Sequence, residues 1–215
     1  MLDIHSHILF GVDDGSETFA ESLEMLRAAV DVGIDQIYAT PHWKSMNGDL
    51  GAIHRAFERL LPEAEKCGVA LRLGFEYNIN AIDITDFSAA KAFALEQSDS
   101  LLLEFPFGYW PREWEQIILR LQRTGLRIII AHPERYVPLQ KDLGILDELI
   151  DIGCLLQCNA SSILSIRPDK QRVVRYIRRL GRLDFLATDA HSARDYALYA
   201  RALRQVGTEI RYPNF

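Results

Sequence analysis

The 215-residue sequence predicts a single α/β domain, residues 1–215, built as a barrel of parallel strands with outer helices. Short apolar runs alternate with stretches whose apolar residues recur at helical spacing, which is the pattern of successive β-α units. Seven such units follow one another, with no Gly-rich phosphate loop after the first strand and no linker between units. These features favour a closed (β/α)7 barrel over an open, doubly wound sheet.

Each unit has a recognisable strand and helix. The first strand covers the apolar Leu2 and Ile4 and leads into His5 and His7. The later strands are predicted at residues 36–40, 69–75, 100–103, 127–131, 154–158 and 183–187. The helices are predicted at 17–32, 49–67, 88–95, 111–124, 143–152, 168–180 and 193–205. Five of these helices are followed by a glycine, the residue that most often ends a helix.

Composition excludes several classes of function. The net charge of −6 argues against a general nucleic-acid-binding protein. The sequence shows neither a signal peptide nor an apolar run long enough to span a membrane, so we expect a cytoplasmic protein. Three cysteines without a disulfide pattern suit a reducing compartment, and Cys154 and Cys158 lie in an apolar run typical of a core.

The sequence Asp3-Ile4-His5-Ser6-His7 is the first indication of chemistry. Residues two apart on a strand leave the same face, so His5 and His7 would project together from the end of the first strand. Two neutral imidazoles on one face can hold a transition metal ion. By itself a His-x-His pair also occurs by chance, so the interpretation depends on the other strands.

Every predicted strand ends at a polar or metal-binding residue, and barrel enzymes place their chemistry at these ends. In chain order the residues are His5, His7, His42, Glu76, Glu104, His132, Asn159, Asp189 and His191. Imidazoles and carboxylates without cysteine suit Mn, Fe, Zn or Co. So many ligands exceed the four of one tetrahedral ion, which predicts two or three divalent ions. The first loop adds Asp13 and Asp14, which are also typical of a turn.

These motifs resemble the polymerase and histidinol phosphatase (PHP) superfamily. The residues that carry the resemblance are His5-x-His7, Pro41-His42, Glu76, His132 and Asp189-x-His191. Residues 1–15, Leu103-Glu104-Phe105 and Ala131-His132-Pro133-Glu134-Arg135-Tyr136 are similar to one branch of it, the manganese-dependent protein tyrosine phosphatases of bacterial capsule and exopolysaccharide operons. The resemblance implies a distorted (β/α)7 barrel of the PHP type.

The resemblance also implies an assignment of ligands. His5, His7, Glu76 and Asp189 would hold one ion; Glu76, Glu104 and His132 a second; and Asp14, His42 and His191 a third. It implies a metal-dependent phosphomonoester hydrolase in which a metal-bridging hydroxide attacks phosphotyrosine in a protein. The implied substrate is the membrane-associated tyrosine autokinase that controls capsule or exopolysaccharide synthesis. The assembly is left open between a monomer and a homo-oligomer.

Two arginines are candidates for holding the phosphate, Arg135 after the fifth strand end and Arg194 after the seventh. A guanidinium group matches the geometry of phosphate oxygens. Each arginine could instead pair with a neighbouring acid, Glu134 or Asp195. The sequence lacks the Cys-x5-Arg loop of cysteine phosphatases, which favours direct attack by water. Together with Asp14, these arginines are the predicted catalytic residues.

Other functions remain open at this stage. A small-molecule phosphatase of the histidinol-phosphate type would use the same ligands. A nuclease module is disfavoured by the acidic charge, and a non-enzymatic regulatory domain would lack ligands that are present here. The aromatic loop 105–110 could line the site around a tyrosine ring or could pack beneath it.

The helix predicted at 168–180 is unusually basic for an acidic protein. Arg172, Arg175 and Arg179 would share an outward face, while Val173, Val174, Ile177 and Leu180 would face the barrel. Such a face is ordinarily solvated. The alternative is a docking surface for an acidic partner: a phosphorylated tail, a neighbouring subunit or anionic lipid.

Overall fold

The structure is a computed structural model that describes residues 1–45 and 48–213. Within these residues the strands are short and all pair in parallel. They are β1 (Leu2–Ser6), β2 (Gln36–Ala39), β3 (His42–Trp43), β4 (Ala70–Leu73), β5 (Glu76–Asn78), β6 (Ser100–Glu104), β7 (Arg127–Ala131), β8 (Leu155–Asn159) and β9 (Phe185–Ala187).

The strands form two sheets, ordered β1-β2-β4 and β3-β5-β6-β7-β8-β9. β2 and β3 are successive halves of one chain segment, and so are β4 and β5, so the two sheets continue into one another. At the other end, the His7 N–H donates to the Ala190 carbonyl (2.9 Å) and the Asp189 N–H donates to the His5 carbonyl (2.8 Å). The segment after the last strand therefore lies beside the first strand, and the predicted seven strand positions follow one another in a ring.

The helices lie outside the strands, as expected for β-α units. They are α1 (Phe19–Asp31), α2 (Leu50–Lys66), α3 (Trp114–Arg123), α4 (Val137–Lys141), α5 (Gly144–Asp151), α6 (Ala160–Ile163), α7 (Pro168–Arg179) and α8 (Ala193–Val206). Four short 3-10 helices are added, at Ile79–Ala81, Phe87–Phe93, Pro133–Arg135 and Gly207–Glu209. Each longer helix buries one side and leaves the other exposed.

The sequence sets the ends of α1 locally. The Thr18 side chain accepts from the Glu21 N–H and the Glu21 carboxylate accepts from the Thr18 N–H, a capping box that satisfies donors at the start of the helix. At the other end Gly33 has φ +83°, a conformation that glycine adopts without steric cost.

Two layers of apolar side chains support the strands. A small cluster fills the inside of the ring: Ile4, Tyr38, Leu95, Leu102, Ile129, Ala131, Phe185 and Ala187. On β7 the neighbours Ile128 and Ile130 point the other way, into the larger cluster under the helices. Strands buried on both faces explain the near-continuous apolar runs in the sequence. Because the inside of the ring is packed with side chains, a ligand cannot enter the ring itself and can approach it at the ends of the strands.

Some element boundaries differ from the prediction. α3 begins at Trp114, three residues after the predicted start at Pro111, and the predicted helix at 88–95 is the 3-10 helix Phe87–Phe93. α4 and α6 were not predicted, because helices of five and four residues are too short to show a periodic pattern. The prediction that Leu180 faces the barrel is wrong: its side chain is 42% exposed.

Two expectations from composition can be compared with the structure. None of the helices in the described part of the chain is long and apolar enough to cross a membrane. Cys154 and Cys158 are buried, as predicted for core residues, and burial raises the pKa of both thiols.

Candidate metal centre

The nine predicted ligands come together at the carboxyl ends of the strands. They are His5, His7, Asp14, His42, Glu76, Glu104, His132, Asp189 and His191, and each belongs to at least one group whose ligand atoms lie within 4.8 Å of one another. The groups overlap, since Glu76 and three of the histidines belong to two each. These residues come together because the strands are parallel, which places all their carboxyl ends at one edge of the ring.

One group consists of His5, His7 and Asp189, and Glu76 lies beside it. His5 Nε2 and His7 Nε2 lie 3.2 Å apart. Glu76 Oε2 and Asp189 Oδ1 each lie 3.3 to 3.4 Å from these two nitrogens. Ligand atoms that lie about 2.0–2.1 Å from a shared tetrahedral ion are about 3.3–3.4 Å apart, so these distances suit nitrogen and oxygen ligands of a zinc-like ion. The first predicted ligand set also contained Glu76, which the structure places instead in the groups of His132 and His42.

Glu76 is shared with a second group. Its Oε1 lies 2.6 Å from His132 Nε2, and its Oε2 lies 2.7 Å from His42 Nδ1. Glu104 completes this part of the site and accepts a hydrogen bond from Asn78 Nδ2 at 3.0 Å. The prediction paired Glu104 with His132, whereas in the structure Glu104 groups with His42 and His132 groups with His5.

The third group lies nearer the solvent, and in it the neighbouring residues Asp13 and Asp14 have different roles. Asp14 Oδ1 lies 3.2 Å from His42 Nε2 and 3.5 Å from His191 Nε2, in the position expected of a ligand. Asp13 is instead occupied with His7 Nδ1 at 2.7 Å and accepts from the His42 N–H at 3.1 Å. Asp13 therefore fixes two imidazoles, and Asp14 is the member of the pair that remains available.

The buried polar atoms of the site show that these residues fit divalent cations. His42 Nδ1, Glu76 Oε2 and His132 Nδ1 are buried without a hydrogen-bond partner among the described residues. His42 Nδ1 and Glu76 Oε2 are only 2.7 Å apart, yet they do not have hydrogen-bond geometry. Buried polar groups are normally satisfied, so atoms that converge without bonding indicate a missing partner between them.

Electrostatics lead to the same interpretation. Burial disfavours charge on His5, but the carboxylates of Glu76 and Asp189 outweigh it and raise the pKa of His5 to about 9. Burial likewise opposes the ionised form of Glu76, but the surrounding imidazoles, His5 first among them, hold its pKa well below the usual range. The site therefore attracts positive charge, which cations can supply in place of protons.

A chain of amide side chains holds the ligands in place. Gln157 Oε1 lies 3.0 Å from His5 Nδ1, and Gln157 Nε2 donates to Asn159 Oδ1 at 2.8 Å. Asn159 Nδ2 in turn donates to Asp189 Oδ2 at 2.6 Å. Because the amide oxygen accepts from His5 Nδ1–H, the neutral form of His5, which is the form that binds metal, has an unprotonated Nε2 directed at the site. Asn159, predicted among the polar strand ends, thus supports a ligand.

Two ligands have unusual backbone conformations. His132 has φ +32° and Asp189 has φ +51°, in the left-handed region that residues other than glycine rarely adopt. Such conformations cost free energy and persist where the surrounding structure requires them. Here they turn the chain just beyond β7 and β9, so that both side chains point at the other ligands.

A cavity of about 210 Å³ opens from the ligands to the solvent. It is lined by Asp14, His42, Lys44, Asn78, Glu104, Phe105, Pro106, Phe107, Arg135, Asp189 and His191. Its size suits a small group such as a phosphorylated side chain rather than a whole drug-sized ligand. Two cations, Lys44 and Arg135, face it beside the carboxylates.

The two predicted phosphate-binding arginines differ in position. Arg135 lines the cavity: Nη1 donates to Asp189 Oδ2 at 2.6 Å, and its guanidinium carbon lies 4.5 Å from the centroid of the Phe107 ring. Its neighbour Glu134, the alternative partner, instead accepts from the Asn159 N–H. Arg194 is exposed in the first turn of α8 and is not among the residues lining the cavity. Its role stays a prediction.

The aromatic residues of the loop after β6 have two roles: some pack in the core, and Phe107 lines the cavity. Phe105 is buried and stacks on Trp110 with ring centroids 4.0 Å apart, so these two residues pack as a core. Phe107 lines the cavity, with 41% of the residue exposed, and its carbonyl accepts from the Val137 N–H at 2.9 Å. This bond ties the loop to the chain segment that carries Arg135.

Sequence reasoning missed Gln157 and the role of Asp13. Gln157 lies two residues before Asn159 on β8, and residues two apart on a strand project from the same face. Considering the polar residue two positions before each strand end would therefore have found Gln157. For Asp13 the sequence offered no such signal, because its bond to His7 depends on how the loop folds back. Gly15 permits that fold: a Cβ there would lie 2.1 Å from the His7 carbonyl oxygen.

Comparison with known proteins agrees with this site. Residues 1–203 match a family model described as "Capsular polysaccharide synthesis, CpsB/CapC". The tyrosine-protein phosphatase YwqE of Bacillus subtilis is 32% identical over 224 aligned residues, which cover 99% of this chain and 87% of the relative. The putative tyrosine-protein phosphatase CapC of Staphylococcus aureus is 35% identical, over 89% of this chain and 77% of the relative.

Solved structures extend the likeness. One from the study of YwqE from Bacillus subtilis and CpsB from Streptococcus pneumoniae, described as unique metal-dependent tyrosine phosphatases, has a TM-score of 0.81 at 31% identity, covering 98% of this chain and 88% of that chain. The zinc-containing histidinol phosphate phosphatase of Lactococcus lactis has a TM-score of 0.59 at 15% identity, covering 96% and 95%. The second likeness shows the fold alone.

The amide network gives a direct prediction for metal binding. Gln157→Leu removes the acceptor that orients His5, so the affinity for Mn²⁺, measured by calorimetry on chelator-treated protein, should fall by about 10–100-fold. Gln122→Leu is the matched control, since Gln122 donates to the Ile152 carbonyl away from the site. Unchanged Mn²⁺ affinity in Gln157→Leu would show that the network is not needed to hold the ligand.

Proposed function

Because the chain belongs to the CpsB/CapC capsular polysaccharide synthesis family, we propose that it is a metal-dependent phosphatase that removes phosphate from phosphotyrosine in proteins. The observation that carries the proposal is the carboxylate-bridged cluster of imidazoles beside a small cavity that Arg135 faces. This is the arrangement that phosphomonoester hydrolysis requires: positive charge at the phosphate oxygens and an open approach for water.

Two or three divalent cations, with Mn²⁺ favoured, complete the site. His5, His7, Glu76 and Asp189 would hold one; Glu76, Glu104 and His132 a second, which His42 also approaches; and Asp14, His42 and His191 a third. When bound, such cations neutralise phosphate oxygens and lower the pKa of water to near neutrality. Nitrogen and oxygen ligands without thiolates suit Mn²⁺ and leave Fe, Zn and Co as alternatives.

The protein's own side chains orient the phosphate. Arg135 is held between Asp189 and the Phe107 ring, so its guanidinium is already directed into the cavity. Lys44 lines the same cavity and adds a second positive charge. A guanidinium that is fixed before binding loses little conformational freedom when it donates to phosphate oxygens. Arg194, which does not line the cavity, would have to act from its rim.

Phe107 favours an aromatic substrate. Among the described residues lining the cavity, it is the only Phe, Tyr or Trp whose side chain is more than slightly exposed. It lies close to His132, with ring centroids 5.7 Å apart, and is held by its backbone bond to Val137. A tyrosine ring attached to a bound phosphate could pack on this surface, whereas the aliphatic ester of histidinol phosphate would gain less from it.

The physiological substrate is proposed from the relatives. Several are named tyrosine-protein phosphatases, and the family is described by capsular polysaccharide synthesis. The substrate we propose is therefore a phosphotyrosyl protein, in particular the membrane-associated tyrosine autokinase that controls capsule or exopolysaccharide synthesis, met in the cytoplasm. A histidinol-phosphate-type activity is the alternative, and kcat/KM on a phosphotyrosyl peptide against histidinol phosphate distinguishes the two.

Metal dependence tests the proposed function. Prolonged chelation should abolish hydrolysis of a phosphotyrosyl peptide, and Mn²⁺ should restore it best among divalent cations, because the ligands are all nitrogen and oxygen. Metal content and kcat are measured on the same samples. His7→Ala serves as the matched variant and should lose metal and nearly all turnover while keeping the unfolding transition. Full activity in metal-free protein would refute the proposal.

Arg135 should contribute to catalysis without holding metal. Arg135→Ala should lower kcat/KM by more than tenfold, since a charge-assisted bond to phosphate contributes about 1.5–3 kcal/mol. Arg135→Lys should recover part of the loss, because a point charge cannot reproduce the planar donor pair. Metal content, measured in parallel, should not change, because Asn159 still donates to Asp189. Metal loss together with activity would instead assign Arg135 to support of Asp189.

Phe107 should determine selectivity for aromatic esters. Phe107→Ala should raise KM about tenfold for a phosphotyrosyl peptide and raise it much less for the matched phosphoseryl peptide, because only the aromatic ester packs on the ring, whereas both substrates lose the contact that helps to hold Arg135. Tyr109→Ala is the control: it lies in the same loop, is 56% exposed, and its hydroxyl accepts from Asn80 instead of facing the cavity. Equal losses on both peptides would contradict a role in ring recognition.

A further inference from the structure

A second concave surface runs along α7 on the outside of the ring. We call it the α7 groove, and its volume is about 820 Å³. It is lined by Leu143, Ile163, Leu164, Ser165, Ile166, Pro168, Gln171, Arg172, Arg175, Tyr176, Arg179 and Gln205. No carboxylate is among these described lining residues, although the protein as a whole carries a net charge of −6. The groove is therefore a basic surface on an acidic protein.

The arginines near α7 fall into two sets. Those outside the groove are neutralised by carboxylates: Arg167 by Asp169, Arg178 by Glu209 and Arg182 by Asp184.

Arg172, Arg175 and Arg179, the arginines that line the groove, have no carboxylate partner in the part of the chain that the structure describes. Arg172 donates to the Gln140 and Lys141 carbonyls, and Arg179 lies over the Tyr176 ring. Tyr176 itself donates to Asp147, so the tyrosine hydroxyl already engages that carboxylate. Uncompensated guanidinium groups in one concave surface are complementary to carboxylates of a partner.

The groove also has an apolar end. Ile166 is 96% exposed, more than any other large hydrophobic residue in the described part of the chain. Ile163 and Leu164 lie just before it and line the same groove. An apolar side chain this exposed beside a basic stripe suits a segment that carries both an apolar residue and acids.

The apolar end lies near the metal centre. α6 begins at Ala160, directly after Asn159, whose side chain donates to Asp189 at the ligands. α6 has four residues and spans about 6 Å, and α7 starts soon after it. A polypeptide bound at the cavity can therefore continue over α6 into the groove. Over this path an extended chain covers about 3.3 Å per residue, which places the arginines about four to eight residues from the phosphotyrosine.

We propose that the α7 groove docks an acidic segment of the phosphotyrosyl protein substrate, close in sequence to the phosphotyrosine. The inference rests on the proposed function, since it assigns the groove to the same substrate. A protein segment fits better than a membrane, because the surface is concave and combines an apolar end with separate charges. A substrate segment fits better than a second copy of this chain, because Ile163, which lines one end of the groove, lies only four residues after Asn159 at the metal centre.

Binding to two peptides tests the proposal. Both contain a non-hydrolysable phosphotyrosine analogue; one carries Asp and Glu four to eight positions away, and the other carries Asn and Gln at the same positions. Fluorescence anisotropy with the Mn²⁺-loaded protein should show at least fivefold tighter binding of the acidic peptide. Arg175→Gln/Arg179→Gln should remove that difference and leave the affinity for the neutral peptide unchanged. Salt at 0.5 M should act in the same direction, because exposed charges are screened.

Arg120→Gln/Arg123→Gln on α3 removes the same charge elsewhere and should preserve the difference, which separates docking from net charge. Equal affinities of wild type for the two peptides would overturn the proposal, as would a loss that is the same in both double variants. If wild type bound anionic vesicles and the groove variant did not, the groove would be assigned to lipid. If the groove variant changed its oligomeric state, the groove would be assigned to a second copy of the chain. Either result would overturn the proposal. Hydrolysis of a small aryl phosphate, followed separately, reports on the proposed function alone.

Discussion

The structure depends on one buried carboxylate, that of Glu76. It is fully shielded from solvent and lies within 3.4 Å of nitrogens of His5, His7, His42 and His132. A buried charge is costly unless opposite charge surrounds it, so the four imidazoles and the cations they can hold are what makes a carboxylate tolerable there. Three other strands must meet around this one group, because His5 and His7 come from β1, His42 from β3 and His132 from the end of β7.

That requirement explains the irregular parts of the ring. β2 and β3 are separated at Thr40 and Pro41, and β3 then pairs with β5 so that His42 lies directly opposite Glu76. At the ends of β7 and β9 the chain turns through the strained conformations of His132 and Asp189. In a regular barrel the side chains of a strand point alternately into and out of the ring, whereas these departures direct the strand-end side chains at one another.

The sequence predicted which side chains meet at the strand ends but not the residues that support them, and the reason is physical. A ligand at a strand end is visible because strand ends are local features and parallel strands share one edge. The position of Gln157 on the same strand face as Asn159 is a local feature, but its pairing with His5 is not, because His5 lies far away in the sequence. In the sequence Asp13 and Asp14 are equally typical of a turn. Only the fold of the loop shows that Asp13 pairs with His7 and that Asp14 approaches His42. Arg135 and Arg194 were also equivalent by position, until the 3-10 turn after β7 placed only the first at the cavity.

This acidic protein has two surfaces of opposite charge, the metal centre and the α7 groove. The metal centre concentrates carboxylates in a buried space, where solvent screens them little and their attraction for cations is strong. The α7 groove exposes its arginines to solvent, where their field decays within about 8 Å at physiological ionic strength. Each surface therefore acts only on what touches it, and the carboxylates of the centre do not cancel the arginines of the groove. In the function and docking that we propose, the buried centre would recognise the phosphate by its geometry and the groove would recognise the surrounding protein by its exposed charge.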